Sequence, residues 1–176
     1  MSIPRIAEES DLGELRALMT LAIARNQDAF LSPAQVAASA MVMGLDTQLI
    51  ADRTYYLVEQ DGRIAGCGGW SFRATTYGGD ASTIARDAAL LDPARDPARI
   101  RAMYTHPDFT RRGIGRIVLA ACEAAAREAG FGSAVLMATL SGEPLYRSAG
   151  YRPVRDHVDL IDGVEVPLIL MEKVLA

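Results

Sequence analysis

Residues 110–116, Thr-Arg-Arg-Gly-Ile-Gly-Arg, join a β-like run to an α-like run, and this junction constrains the fold more than any other part of the chain. Upstream, residues 99–105 read as a strand with Ile100, Ala102 and Tyr104 on one face, ended by Pro107. Downstream, a helix runs from about Gly113 to Ala129 and is closed by Gly130. A strand that passes through a glycine turn into a helix brings unpaired N–H groups and the positive end of the helix dipole to the end of the strand. Glycines let backbone approach a ligand closely. Arg111, Arg112 and Arg116 add charged donors. The combination predicts a site for phosphate or pyrophosphate. It is not a P-loop, because no Lys-Ser/Thr follows Gly113-Ile114-Gly115. It is not the dinucleotide fingerprint, because Val118 holds the place of the third glycine. A helix start chosen for packing alone would use the same residues, so the surroundings must decide.

Ahead of the junction, residues 3–7 read as a short strand. Asp11 and Glu14 are spaced as a capping box, followed by Leu12, Leu15, Met19, Ala22 and Ile23 at helical intervals. Ser32-Pro33-Ala34-Gln35 starts a second helix, with Val36, Ala37, Ala40 and Met41 as its apolar face. Residues 55–59 and 63–72 read as strands joined at Asp61-Gly62. Residues 73–97 form a long connection, either a functional flap or a loose insertion, with a short helical piece at 84–91. After the junction, 133–140 is an almost wholly apolar central strand. Ser141 reads as the N-cap of a short helix with Pro144 in its first turn and Gly150 at its end. Residues 151–161 and 164–174 read as strands around Asp162-Gly163. The order β-α-α-β-β-β-α-β-α-β-β predicts one α/β (α+β) domain over residues 1–176, with a mixed sheet covered by helices on both faces.

The chain of 176 residues carries 18 basic and 22 acidic side chains, a net charge of −4. That balance disfavours nucleic-acid binding, which needs a basic face. Cys67 and Cys122 sit in unlike surroundings, so we expect small core hydrophobes in a reducing compartment, not a disulfide or a metal site. No signal-peptide pattern or membrane-length apolar run is visible, which leads us to expect a cytoplasmic protein.

The run Arg-Ala-Met-Tyr-Thr-His-Pro-Asp-Phe-Thr-Arg-Arg-Gly-Ile-Gly-Arg at 101–116 resembles the acetyl-CoA-binding core of the GNAT acetyltransferase superfamily. Pro144-Leu145-Tyr146-Arg147-Ser148-Ala149-Gly150-Tyr151 resembles a second motif of that family, in the right order and at the right separation. The resemblance covers nearly the whole chain. It implies a mostly antiparallel sheet of six to seven strands, and transfer of an acetyl group from acetyl-CoA (coenzyme A being released) to an amine acceptor, small molecule or peptide, by direct attack. A non-catalytic acyl-CoA-binding or sensing module on the same fold is the alternative, followed by an assembly domain that binds no cofactor.

The resemblance also assigns residues. The N–H groups of Arg111, Arg112, Gly113, Ile114, Gly115 and Arg116 would hold the pyrophosphate, with Thr110 where the pattern prefers Gln or Arg. Backbone of Met103, Tyr104 and Thr105 would pair with the pantetheine arm where the strand is splayed, and the Met103 N–H would polarise the thioester carbonyl. Tyr146 would protonate the leaving thiolate. Ser141 stands where many relatives have Asn against the cofactor. Arg99 stands near the place of a catalytic Glu in some relatives, so their base does not carry over.

Other residues admit two readings each. His106 is a base, a phosphate neighbour or a turn residue. His157 faces an acceptor pocket or is structural. Glu59 is a base beside the cofactor or a surface charge. Trp70, Phe72, Tyr55, Tyr56 and Tyr77 line the acceptor pocket or fill the core. Arg101, on the face opposite Tyr104, is a candidate for an acceptor carboxylate. The strand Val164–Val174, placed at a sheet edge, would let two copies pair as a homodimer.

Overall fold

Residues 2–176 are described in a computed structural model. The strands are β1 (Arg5–Ile6), β2 (Tyr55–Gln60), β3 (Arg63–Ser71), β4 (Ala98–Thr105), β5 (Ser133–Thr139), β6 (Arg152–Ile161) and β7 (Val164–Val174). The helices are α1 (Leu12–Arg25), α2 (Pro33–Ala40), α3 (Thr47–Ala51), α4 (Ile114–Glu128) and α5 (Glu143–Ser148). The sheet order is β1-β2-β3-β4-β5-β7-β6. Every pairing is antiparallel except β4 with β5. Among the described residues no helix is long and apolar enough to cross a membrane.

Two cores lie on opposite faces of the sheet. Under α4, Val118, Leu119, Cys122 and Ala126 pack on Ile100, Leu136 and Met171. Under α1, Leu15, Met19, Ala22 and Ile23 pack on Leu57, Ile64 and Tyr104. Burial pushes the Cys67 thiol up to about 12, the mark of an unreactive core cysteine. The glycines of β3 have a packing reason. A Cβ at Gly66 would overlap Ile114 of α4, and one at Gly68 would overlap the Met103 sulfur.

Ile100 and Tyr104 belong to different cores, which overturns the expectation that Ile100, Ala102 and Tyr104 share a face. The cause is a bulge. Cys67 pairs with Tyr104 but Gly69 pairs with Arg101, so β4 holds one residue more than β3 there. Ala102 takes the kink at φ 50, and its carbonyl accepts the Tyr55 hydroxyl at 2.7 Å. The bulge turns Arg101 and Tyr104 to the same face, the one covered by α1 and α2, instead of opposite faces.

Other expectations also change. The capping box before α1 is Glu8 with Asp11, while Glu14 accepts from the Ile64 N–H at 2.6 Å. Ser32 and Gln35 cap α2 as expected, and Gln35 Nε2 continues to the Glu165 carbonyl at 2.9 Å. The buried residues of α2 are Ala38 and Ser39, not Val36, Ala37, Ala40 and Met41, because α2 rests on β7 with its other side in water. Thr47–Ala51 forms a helix that the sequence did not announce, with Asp46 as N-cap. Residues 84–91 are not helical; Arg73 and Leu90 form an isolated antiparallel bridge instead. The N-cap of α5 is Gly142, while Ser141 Oγ lies 3.2 Å from Thr139 Oγ1. The edge strand is β6, since β7 sits between β5 and β6. Pairing of two copies through Val164–Val174 is therefore closed off.

Candidate active site

Strands β4 and β5 are hydrogen-bonded only at their beginnings, where Ala98 faces Ala134 and Arg99 faces Val135. Beyond that they part, because the bulge at Ala102 bends β4 away. A cleft of about 930 Å³ opens between them, continuous with the start of α4 and with the space under α2. Parted strands leave ladder N–H and C=O groups without partners, and such groups take up an extended ligand.

The α4 end of the cleft is built for an anion. Arg111 and Gly113 both have left-handed backbone, φ 63 and φ 80. This alternation about Arg112 curls successive amides toward one point. No backbone N–H from residue 111 to 116 donates to another described residue. Gly115 keeps the cradle open, since a Cβ there would come 2.9 Å from Leu145 of α5. The Arg111 side chain is exposed. Arg112 stacks 5.3 Å over Phe109, and Arg116 Nη2 donates to Ser148 Oγ at 2.8 Å, tying α4 to α5. Thr110 Oγ1 donates to the Pro107 carbonyl. These residues fit a pyrophosphate.

At the middle of the cleft stand Met103, Thr105, Ser141 and Tyr146. Met103 has no partner in the β3–β4 or β4–β5 register. The Thr105 carbonyl accepts Asn26 Nδ2 at 2.8 Å, a contact from the end of α1 that no sequence signal announced. Tyr146 is buried, with its ring against Gly142 and edge-on to Tyr151. Its hydroxyl makes no hydrogen bond with the described residues and is not sealed from solvent. Burial raises the phenol above its usual value, so it stays protonated. Tyr104 lines the cleft, but its hydroxyl accepts the Gly44 N–H at 2.9 Å and so anchors the loop before α3.

Arg101 is 4% exposed and committed. Its Nη2 donates to Asp46 and to the Gly78 carbonyl, both at 2.7 Å. Asp46 also takes Arg86 at 2.6 Å. Desolvation lowers the Arg101 pKa, with Asp46 opposing. Arg101 therefore pins residues 75–86 over the sheet, which overturns its reading as a ligand for an acceptor carboxylate. Glu59 lies at the far end of the sheet, paired with Arg5 at 2.6 Å, and takes no part in the cleft. His106 Nδ1 accepts from the Asp108 N–H, as a turn residue. Arg99 donates to the Pro97 and Ala74 carbonyls. Tyr55, Trp70 and Phe72 are core or rim residues of the sheet, and of the five candidate aromatics only Tyr77 reaches the cleft. Phe30, half exposed at the mouth, carries no sequence signal that would single it out.

Several solved structures share this architecture. A GCN5-related N-acetyltransferase from Rhodopseudomonas palustris superposes with a TM-score of 0.71 at 18% identity, over 99% of this chain and 96% of that one. The PaiA N-acetyltransferase from Thermoplasma acidophilum, in complex with coenzyme A, gives 0.65 at 14%, over 99% of each chain. A putative acetyltransferase from Salmonella typhimurium, with acetyl-CoA, gives 0.63 at 18%, over 100% of this chain and 95% of that one. No curated protein matches by sequence. The family model described as Acetyltransferase (GNAT) family matches residues 18–151, both motifs included, and the chain belongs to that family.

Proposed function

We propose that the protein transfers an acetyl group from acetyl-CoA to an amine by direct attack within a ternary complex. The observation that carries this is the junction at 111–116, where six successive N–H groups without acceptors curl about one point at the mouth of a strand gap. Acetyl-CoA supplies the activated thioester, and coenzyme A leaves as the thiol. Amides 111–116 bind its pyrophosphate, and Gly115 leaves room for it. Backbone of Met103, Tyr104 and Thr105 aligns the pantetheine arm, and the Met103 N–H polarises the thioester carbonyl where negative charge develops. Ser141 and Thr110 border the same groove. The neutral amine nitrogen forms its bond to the carbonyl carbon and the carbon–sulfur bond breaks; Tyr146 gives its proton to the departing sulfur, and the proton that the nitrogen sheds passes to water, which returns one to the Tyr146 oxygen. Juxtaposition and oxyanion stabilisation supply most of the rate.

The test is thermal unfolding with acetyl-CoA, coenzyme A and ATP in parallel, followed by thiol release with a panel of amines. At about 100 times Kd a ligand adds roughly 2.7 kcal/mol of stability. A shift with both coenzyme A species and none with ATP, together with thiol release, supports the reading. A shift without thiol release points to the non-catalytic binding module. No shift with any coenzyme A species refutes both.

A further inference from the structure

One polar cluster in the cleft has no part in that chemistry. Across β5, β7 and β6, the residues facing α2 form aligned rows: Thr139 with Leu168 and His157, then Val166 with Asp159. Asp159 lines the cleft, and its side chain is 9% exposed. Its Oδ1 accepts the Tyr77 hydroxyl at 2.7 Å and lies 2.8 Å from His157 Nε2, which is 3.2 Å from the Tyr77 oxygen. Its Oδ2 has no hydrogen-bond partner among the described residues and is not among the atoms sealed from solvent. Tyr77 and His157 thus fix one carboxylate oxygen and leave the other facing the cavity.

The surroundings say what that oxygen would take. Phe30, Val42, Met43, Val166 and Leu168 give this half of the cavity apolar walls. Among the described residues the basic side chains lining the cavity are Arg111 and Arg116 at the α4 end and Arg101, already held by Asp46 and two carbonyls. A buried carboxylate in apolar walls favours a cation over a neutral or anionic group. Asp159 lies two strands from β5 and two residues past the row at which β5 ends. At ~4.8 Å per strand and ~3.3 Å per residue it sits roughly 10–15 Å from the gap between β4 and β5. That is too far for it to touch the amine under attack.

We propose that Asp159 binds a second positive charge on the acceptor, so that the preferred acceptor is an amine whose apolar spacer ends in another protonated nitrogen. Tyr77 and His157 act as positioning residues for that carboxylate. The inference rests on the acetyl-transfer reading for the identity of the reacting amine, but the Asp159 contact can be read without turnover.

The experiment titrates diaminooctane, octylamine and aminooctanol, with shorter diamines for comparison, into the protein saturated with coenzyme A, by calorimetry. Thiol release from acetyl-CoA is measured with the same amines. A charge-assisted hydrogen bond predicts that diaminooctane binds roughly tenfold to hundredfold tighter than octylamine or aminooctanol. In Asp159→Asn that ratio falls toward one, and in Tyr77→Phe and His157→Gln it shrinks part of the way. The wild-type ratio needs no variant to fold, so it stands as a test by itself. Equal binding of the three long amines by the wild type overturns the proposal, whether or not thiol is released. A binding preference lost in Asp159→Asn but without thiol release from any amine supports the Asp159 site and removes the acetyl-transfer reading instead.

Discussion

Removing one oxygen from Tyr146 separates its chemistry from its packing. The Tyr146→Phe ring keeps its contacts with Gly142 and Tyr151. The lost hydroxyl has no hydrogen-bond partner among the described residues, so stability should change by less than about 0.5 kcal/mol. Proton donation in the transition state contributes typically about 10²- to 10⁴-fold. A thiol that ionises in water near pH ~8.5 is a fair leaving group unaided, which places the expected loss in kcat near the lower end, about 10²-fold. Burial raises the phenol above its usual value near ~10, so the donor form is present throughout neutral pH. The loss should therefore be the same from about pH 6 to 9, with no new limb in the profile. The assay is single-turnover thiol release at saturating amine, with the Kd for coenzyme A measured alongside. An unchanged rate across that range refutes Tyr146 as the acid. A fall in rate matched by a large rise in Kd refutes the separation of roles.

Three further substitutions probe the frame around the cleft. Asp46→Asn leaves Arg101 and Arg86 without their shared carboxylate, and loss of one partner of a buried pair costs about 3–5 kcal/mol. Thermal unfolding should fall by roughly 10 °C, and an unchanged midpoint would show that the cluster does not anchor residues 75–86. Glu59→Gln should leave kcat/KM unaltered and cost under about 1 kcal/mol, because the Arg5 pair is on the surface and outside the cleft; a large drop in rate would restore Glu59 as a base. Hydrogen bonds from Arg73 hold the Asp52 carboxyl below its usual value, with burial opposing. A lowered carboxylate contributes stability above the unfolded value of about 3.9 and loses it as pH falls through the folded value. The gap in urea midpoint between wild type and Asp52→Asn should accordingly be open at about pH 6 and narrow toward about pH 3, and a constant gap would refute the linkage.

How far the sequence could be read follows from the range over which each signal acts. The anion cradle was legible because glycines, arginines and a helix start within one short stretch determine its geometry by themselves. The helix caps at Ser32 and Gly130, the Asp61-Gly62 and Asp162-Gly163 turns and the buried stripe of α1 are equally local, and they stand as read, with Asp61 and Asp162 at φ 53 and 48. The bulge at Ala102 was not legible. Alanine has no preference for positive φ, and what holds it there is the Tyr55 hydroxyl, 47 residues away in sequence. One inserted residue reversed the facing of every side chain beyond it. It took Arg101 from a supposed ligand to a buried anchor and parted β4 from β5. The half of the cleft proposed for the acceptor depends on similar long-range pairings, Tyr77 with Asp159 and Arg101 with Asp46. The residues proposed to hold the cofactor's pyrophosphate are thus written in one short stretch. Those proposed to select an acceptor, Tyr77, His157 and Asp159, are dispersed over the long 73–97 connection and the sixth strand, where only the folded sheet brings them to one wall.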